Sequence, residues 1–185
     1  MTTKDGTIVA LKCLGFNGLS GAHIAATTSF EAFATLMHDQ AYDVPTCKRV
    51  FKELKRQGMI EIQREQGGYR IGLSVKAGHK LLVVAANEVK IPKMMKWDSK
   101  WRLVCFDIPR SKSSERMYLY RRLRELGFTL IQHSMWLHPF DCLDQIKQIT
   151  EYIQLTKYVS VLEVTKLDER TTRLMLRKYE SLLNT

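Results

Sequence analysis

Cysteine and uninterrupted apolar runs are both scarce in this sequence, and each shortage closes off a class of protein. The four cysteines, Cys13, Cys47, Cys105 and Cys142, lie far apart and form neither a CxxC pair nor a Cys/His cluster. Neither a zinc site nor a disulfide-stapled secreted fold is therefore expected, and a reducing cytoplasm is the expected location. The longest stretch without charge, residues 13–30, is interrupted by Gly15, Asn17, Gly18, Gly21 and His23. It lacks the continuous apolar character of a membrane-spanning helix, and the polar start MTTKDG does not read as a secretory signal, so no membrane role is expected. No low-complexity tract or fixed-period repeat is visible. The motifs GxSxG, GxGxxG, HExxH and the P-loop are missing too, which removes the commonest sequence signs of an enzyme.

What the sequence has in excess is positive charge. It carries 29 Lys and Arg against 19 Asp and Glu, a formal net charge of +10. The excess is shared, with about +4 before Pro92 and about +6 after it, so both halves favour a polyanionic partner such as nucleic acid. With 45% hydrophobic residues the composition is that of a folded protein, so these charges decorate a packed core.

The patterning predicts two domains. Residues 1–88 read as helix (about Asp5–Leu14), helix (Ser29–His38, with Ser29 as its N-cap), helix (from Val44 to the stop at Gly58), hairpin and helix (about Val75–Asn87). The hairpin pairs Met59–Gln63 with Tyr69–Leu73 through the connection 64–68, whose glycines suit a tight turn. That order is the order of a winged helix-turn-helix. Residues 89–100, polar and basic around Pro92, read as a linker.

Residues 101–185 alternate differently. The run Trp101–Ile108 reads as a covered strand, and Ser113–Leu126 as a helix with Leu119, Leu123 and Leu126 inward and Arg121, Arg122, Arg124 and Glu125 outward. Strands follow at Phe128–Ile131 and Ser134–His138, then a helix marked by Cys142, Ile146, Ile149 and Ile153. A strand at Tyr158–Val164 and a helix from Asp168 to Leu183 complete the chain. The fold class is thus α+β: a winged helix followed by a ferredoxin-like (βαββαβ) dimerisation domain and a C-terminal helix.

The third helix is the strongest functional element. Asp43 can cap it, Pro45 suits its first turn, and Cys47, Val50, Phe51 and Leu54 form one apolar stripe. Opposite that stripe lie Lys48, Lys52 and Lys55, flanked by Arg49 and Arg56, with Thr46 near the start. Such a face suits a major groove, where Thr46, Lys48, Arg49 and Lys52 would meet base edges and Lys55 and Arg56 phosphates. Arg64 and Arg70 on the hairpin would hold further phosphates. Double-stranded DNA is the expected partner, bound by a homodimer through half-sites about one helical turn or a multiple apart.

Asp107 is the one residue that suggests other chemistry. It ends an apolar strand, where a carboxylate either organises the next loop or ligates a cation, and Glu115 is the only acid near it in sequence. No cofactor is expected on the leading reading; the alternative is a nuclease holding Mg²⁺ or Mn²⁺ on Asp107. His133 and His138 flank an apolar strand and His23, His38 and His79 are isolated, so all five read as surface or core histidines.

The run WRLVCFDIPRSKSSERMYLYRRLRELGFTLIQHSMWLHPFDC resembles the central domain of PaaX-type transcriptional repressors, itself similar to the small ferredoxin-like endonuclease subunit of CRISPR adaptation complexes. The resemblance, carried by the FDIP strand end, the arginine-rich helix ending in LGF and the QHSMWLHP strands, spans about Trp97–Val164. The upstream KRVFKELKRQGMIEIQREQGGYRIGLSVKAGHKLL resembles a winged helix more loosely. The family resemblance implies a dimeric repressor on palindromic operator DNA, with an aromatic acyl-CoA as effector in known members. Those members carry a further C-terminal domain that finds no counterpart in these residues, so the effector of this chain stays unassigned. In the CRISPR endonucleases the metal-binding aspartate is the one that matches Asp107.

Overall fold

A computed structural model of the chain describes residues 3–16, 22–37, 43–92 and 97–183. The chain divides into two compact units, Met1–Val84 and Ala85–Thr185.

The first unit is built from α1 (Thr3–Phe16), β1 (Ala22–Ile24), α2 (Ser29–Leu36), α3 (Val44–Arg56), β2 (Ile60–Glu65), β3 (Gly68–Leu73) and most of α4 (Val75–Glu88). Its three strands pair antiparallel in the order β1-β3-β2. Leu11, Leu14, Phe33, Val50, Leu54 and Ile71 are essentially inaccessible and form the centre of the core. Phe51 packs between Phe33 and Phe30, at ring-centroid distances of 5.1 and 5.7 Å. Each such side chain contributes about 1.5–3 kcal/mol by leaving water, so the apolar stripe of α3 is what fastens that helix to its unit.

Two local details differ from the sequence reading. The N-cap of α2 is Thr28, not Ser29: the Thr28 hydroxyl accepts the Glu31 amide at 3.1 Å, while the Glu31 carboxylate reaches back to the Thr27 amide and hydroxyl at 3.0 and 2.6 Å. A threonine with an acid three residues on satisfies more orphan donors than Ser29 could. The helix ends at Leu36; His38 lies outside the described residues. The hairpin is also tighter than expected. Its strands continue through Glu65 and from Gly68, leaving Gln66 and Gly67 as the turn, and Gly67 takes a φ of 79° that favours glycine.

Strand β1 was not legible at all, because three residues are too few to show a period of two. Its place is set by Gly68: a Cβ there would stand 2.1 Å from the Ile24 carbonyl oxygen. Only glycine lets β1 lie this close to the hairpin.

The second unit runs β4 (Trp101–Phe106), a 3-10 turn (Arg110–Lys112), α5 (Ser113–Glu125), β5 (Thr129–Gln132), β6 (Met135–His138), α6 (Leu143–Tyr152), β7 (Val159–Val164) and α7 (Glu169–Leu183). The strand–helix order is therefore β-α-β-β-α-β, and the four strands form an antiparallel sheet in the order β5-β6-β4-β7. Alternate residues serve opposite faces. Val104, Phe106 and Trp136 pack with Leu119, Leu123, Ile146 and Ile149 of α5 and α6. Trp101 and Leu137 pack instead with Met175 and Tyr179 of α7. This double cover explains the nearly unbroken apolar run of β4.

Arg122 corrects the reading of α5. It was expected to face outward, yet it is only 7% exposed. Its Nε donates to the Ala86 carbonyl at 3.1 Å, an Nη donates to the Val89 carbonyl, and the other Nη meets Glu125 at 3.2 Å. Those carbonyls lie at the end of α4 and just beyond it, and a guanidinium there satisfies acceptors that burial would otherwise orphan. Ala86, Val89 and Ile91 pack into this second core, so the stretch read as the end of one domain and a linker belongs in good part to the second unit. Residues 93–96 of that stretch lie outside the described residues. Beyond them, the Trp97 indole N–H donates to the Lys100 carbonyl at 2.9 Å and its ring packs on Trp101.

Candidate nucleic-acid interface

Helix α3 begins where Asp43 accepts the Thr46 amide at 3.0 Å and ends at Arg56, after which Gly58, with a φ of 63°, turns the chain into β2. The Thr46 side chain and amide, aided by Arg49, hold the Asp43 carboxyl below its ordinary range. Burying Cys47, Val50, Phe51 and Leu54 fixes the rotation of the helix. Lys48, Arg49, Lys52, Lys55 and Arg56 are thereby left exposed on the opposite side, with Thr46 half-buried beside them. Pro45, Lys48, Arg49, Lys52, Glu53 and Arg56 line a shallow open depression along this face. The Lys48 ammonium stands 5.7 Å from the Phe30 ring centroid, a weak cation–π contact that orders its stem.

The structure also shows acids that the sequence reading passed over. Glu53 grips Arg56 through two hydrogen bonds of 2.9 and 2.6 Å and also accepts from the Gln57 amide. The Arg56 bond, then the Gln57 bond, bring the Glu53 carboxyl down to about 2. On the hairpin, Glu65 holds Arg70, and His23 of β1 lies 3.7 Å away from the same carboxylate. The signal was present in part: Glu53 and Arg56 are three apart on a helix, where opposite charges meet.

Register separates the two hairpin cations. Arg70 is paired with Gln63 and with His23, whereas Arg64 is paired with Tyr69. Directly opposed residues share a face and neighbours alternate, so Arg64 and Arg70 project from opposite faces of the hairpin. Arg64 is exposed. Arg70 is half-buried and already held by a carboxylate. Of the eight cationic or polar residues expected to contact DNA, α3 assembles Thr46, Lys48, Arg49, Lys52, Lys55 and Arg56 on one side, and the hairpin divides the other two.

Asp107 follows the last residue of β4, exposed, with its backbone amide donating to the Tyr158 carbonyl at 3.0 Å. Cys105, Phe106, Ser134, Lys157, Tyr158 and Ser160 share its depression. Asp107 is the single carboxylate lining that depression in one chain, whereas Mg²⁺ and Mn²⁺ gather several oxygen ligands. Among the described residues there is no group of three or more His, Cys, Asp or Glu able to hold a metal. Glu115, the one acid near Asp107 in sequence, bonds Ser114 and lies 3.6 Å from Lys112. No described helix is long and apolar enough to cross a membrane.

Residues 94–176, a little under half of the chain, match the family model of the PaaX protein central Cas2-like domain. No curated protein matches the chain.

Proposed function

We propose that this chain is a transcriptional regulator of PaaX type that binds duplex DNA through α3. One observation carries the reading: the helix whose apolar stripe is spent on the core presents five exposed Lys and Arg side chains on its other side. The order helix, helix, helix, hairpin, with a third strand on the hairpin, supports reading the first unit as a winged helix. The sheet order of the second unit supports reading it as ferredoxin-like. The similarity of residues 94–176 to the PaaX central domain supports the regulatory role.

On this reading α3 enters the major groove, about 12 Å wide, with Lys48, Arg49 and Lys52 toward base edges and Lys55 toward phosphates. A good bidentate contact to a guanine is worth about 1–3 kcal/mol of discrimination, and Arg49 is the arginine of α3 that Glu53 does not hold. Arg64 adds a phosphate contact from the wing. The regulator acts as a repressor in the cytoplasm, as a homodimer joined through the second unit, so its operator is two-fold symmetric with half-sites about one turn or a multiple apart.

The test is selection of bound duplexes from a random pool by the full chain, followed by footprinting. A two-fold motif is the expected product. Recovery of no motif, with binding indifferent to sequence, overturns the regulator; a motif without symmetry overturns the dimer alone.

A further inference from the structure

The second unit carries its own cationic face, unrelated to α3. On α5 and the turn before it, Arg110, Arg116, Arg121 and Arg124 are all exposed. At 100° per residue Arg116, Arg124 and Arg121 spread over one arc, with Met117, 66% exposed, in its middle. The opposite arc holds the buried Leu119, Arg122 and Leu123. Among the described residues, Arg110, Arg116 and Arg124 have no carboxylate partner, and Arg121 shares Glu125 at 3.8 Å.

Two of these arginines lie on rings that are themselves tied down. The Arg116 guanidinium lies 5.7 Å from the centroid of Tyr120, whose hydroxyl donates to the His133 carbonyl at 2.9 Å. Arg121 lies 5.4 Å from the Tyr118 ring, whose hydroxyl donates to Asn87 at 2.7 Å. A guanidinium stacked on a fixed ring loses less freedom when it binds a ligand, and its fork matches a phosphate in two bonds. The face is made of arginine rather than lysine, and among the described residues the carboxylate that pairs with it is Glu125, which Arg121 shares with Arg122. Spaced single anions on a rigid polyanion fit it.

We infer that the arginine face of α5 is a second nucleic-acid contact, which takes the phosphate backbone of duplex DNA without reading its sequence. The inference rests on the duplex-binding reading of the chain. Once α3 is engaged, a second contact to the same duplex forms at the high effective concentration of a tethered group, so even weak phosphate contacts add.

The experiment compares the full-length parent, R116Q/R124Q and K48A/K52A on one duplex of ~40 base pairs, by fluorescence anisotropy over a salt series. The expected result for R116Q/R124Q is a salt slope smaller by about 2 units, roughly one per lost phosphate contact, and a several-fold weaker affinity at ~0.1 M salt. Its melting temperature should equal the parent's, since both side chains are exposed. An unchanged slope and affinity in R116Q/R124Q, with K48A/K52A impaired, overturns this inference and leaves α3 as the interface; an acidic protein is then the class of partner the arginines fit. A loss in R116Q/R124Q alone upholds it and overturns the assignment to α3. If the parent binds no duplex, both fall.

Discussion

The Glu65 carboxylate holds Arg70 at two points, Oε1 to Nε at 2.6 Å and Oε2 to Nη2 at 3.3 Å, across a turn of two residues. A cation that sequence assigns to DNA is thus already neutralised within the hairpin. The Arg70 bond is the chief reason the Glu65 carboxyl lies below its usual range. Arg70 closes the hairpin, while Arg64 on the other face remains exposed.

Arg64→Ala should therefore weaken duplex binding more than Arg70→Ala does. Glu65→Gln should strengthen it a few-fold, because a charge that repels phosphate is removed and the pairing of Arg70 is weakened. Anisotropy titrations of the three variants at one salt concentration check this. Equal losses for R64A and R70A would show that Glu65 surrenders Arg70 to phosphate.

Lys48→Ala combined with Lys52→Ala should weaken duplex binding and flatten its salt dependence by about 1 unit per lost phosphate contact. Unfolding midpoints should be unaffected or slightly raised, since both lysines are exposed beside Arg49 and Arg56. A variant that binds as well as the parent removes α3 from the interface.

Acid should unfasten α3. The Glu53 carboxyl stands at about 2 in the folded chain against an ordinary 4.5, chiefly through its bond to Arg56. A carboxyl lowered by folding contributes stability that is present above its unfolded value and is lost as pH falls through the folded one. Its contribution therefore declines between about pH 4.5 and about pH 2. Asp43, lowered by Thr46, adds a loss of the same sign at acid pH. Thermal melts from pH 6 to pH 2 should show the first unit's midpoint falling less steeply in Glu53→Gln than in the parent. Parallel curves would mean that the unfolded chain keeps the same pairing.

Arg122→Ala should destabilise the second unit by about 2–4 kcal/mol, because it leaves two buried carbonyls and packing space unfilled. Arg122→Lys should recover little, since one ammonium on a flexible stem does not reproduce a planar fork. Urea titration checks both, and an R122A midpoint equal to the parent's would show that water replaces the guanidinium.

Gly68→Ala should cost about 1–3 kcal/mol and loosen β1, since the new methyl would meet the Ile24 carbonyl. Hydrogen exchange at Ile24 and Ile71 is the readout. Protection unchanged at both would mean that β1 can shift aside freely.

The helices of this protein and the cationic side of α3 were legible in the linear sequence, because they depend on a local repeat. Cys47, Val50, Phe51 and Leu54 at helical spacing commit one side to a core, and Lys48, Lys52 and Lys55 are left on the other wherever that core lies. The capping of α3 by Asp43 is equally local. What tertiary structure alone decided involves residues distant in sequence. Strand β1 exists because Gly68 makes room for it. Arg122 turns inward because Ala86 and Val89 bring it acceptors from 36 and 33 residues away. Arg64 and Arg70 part because strand register sends neighbours to opposite faces. Periodicity reports how an element divides its own surface, and it is blind to which distant carbonyl or carboxylate folding will set against a given side chain.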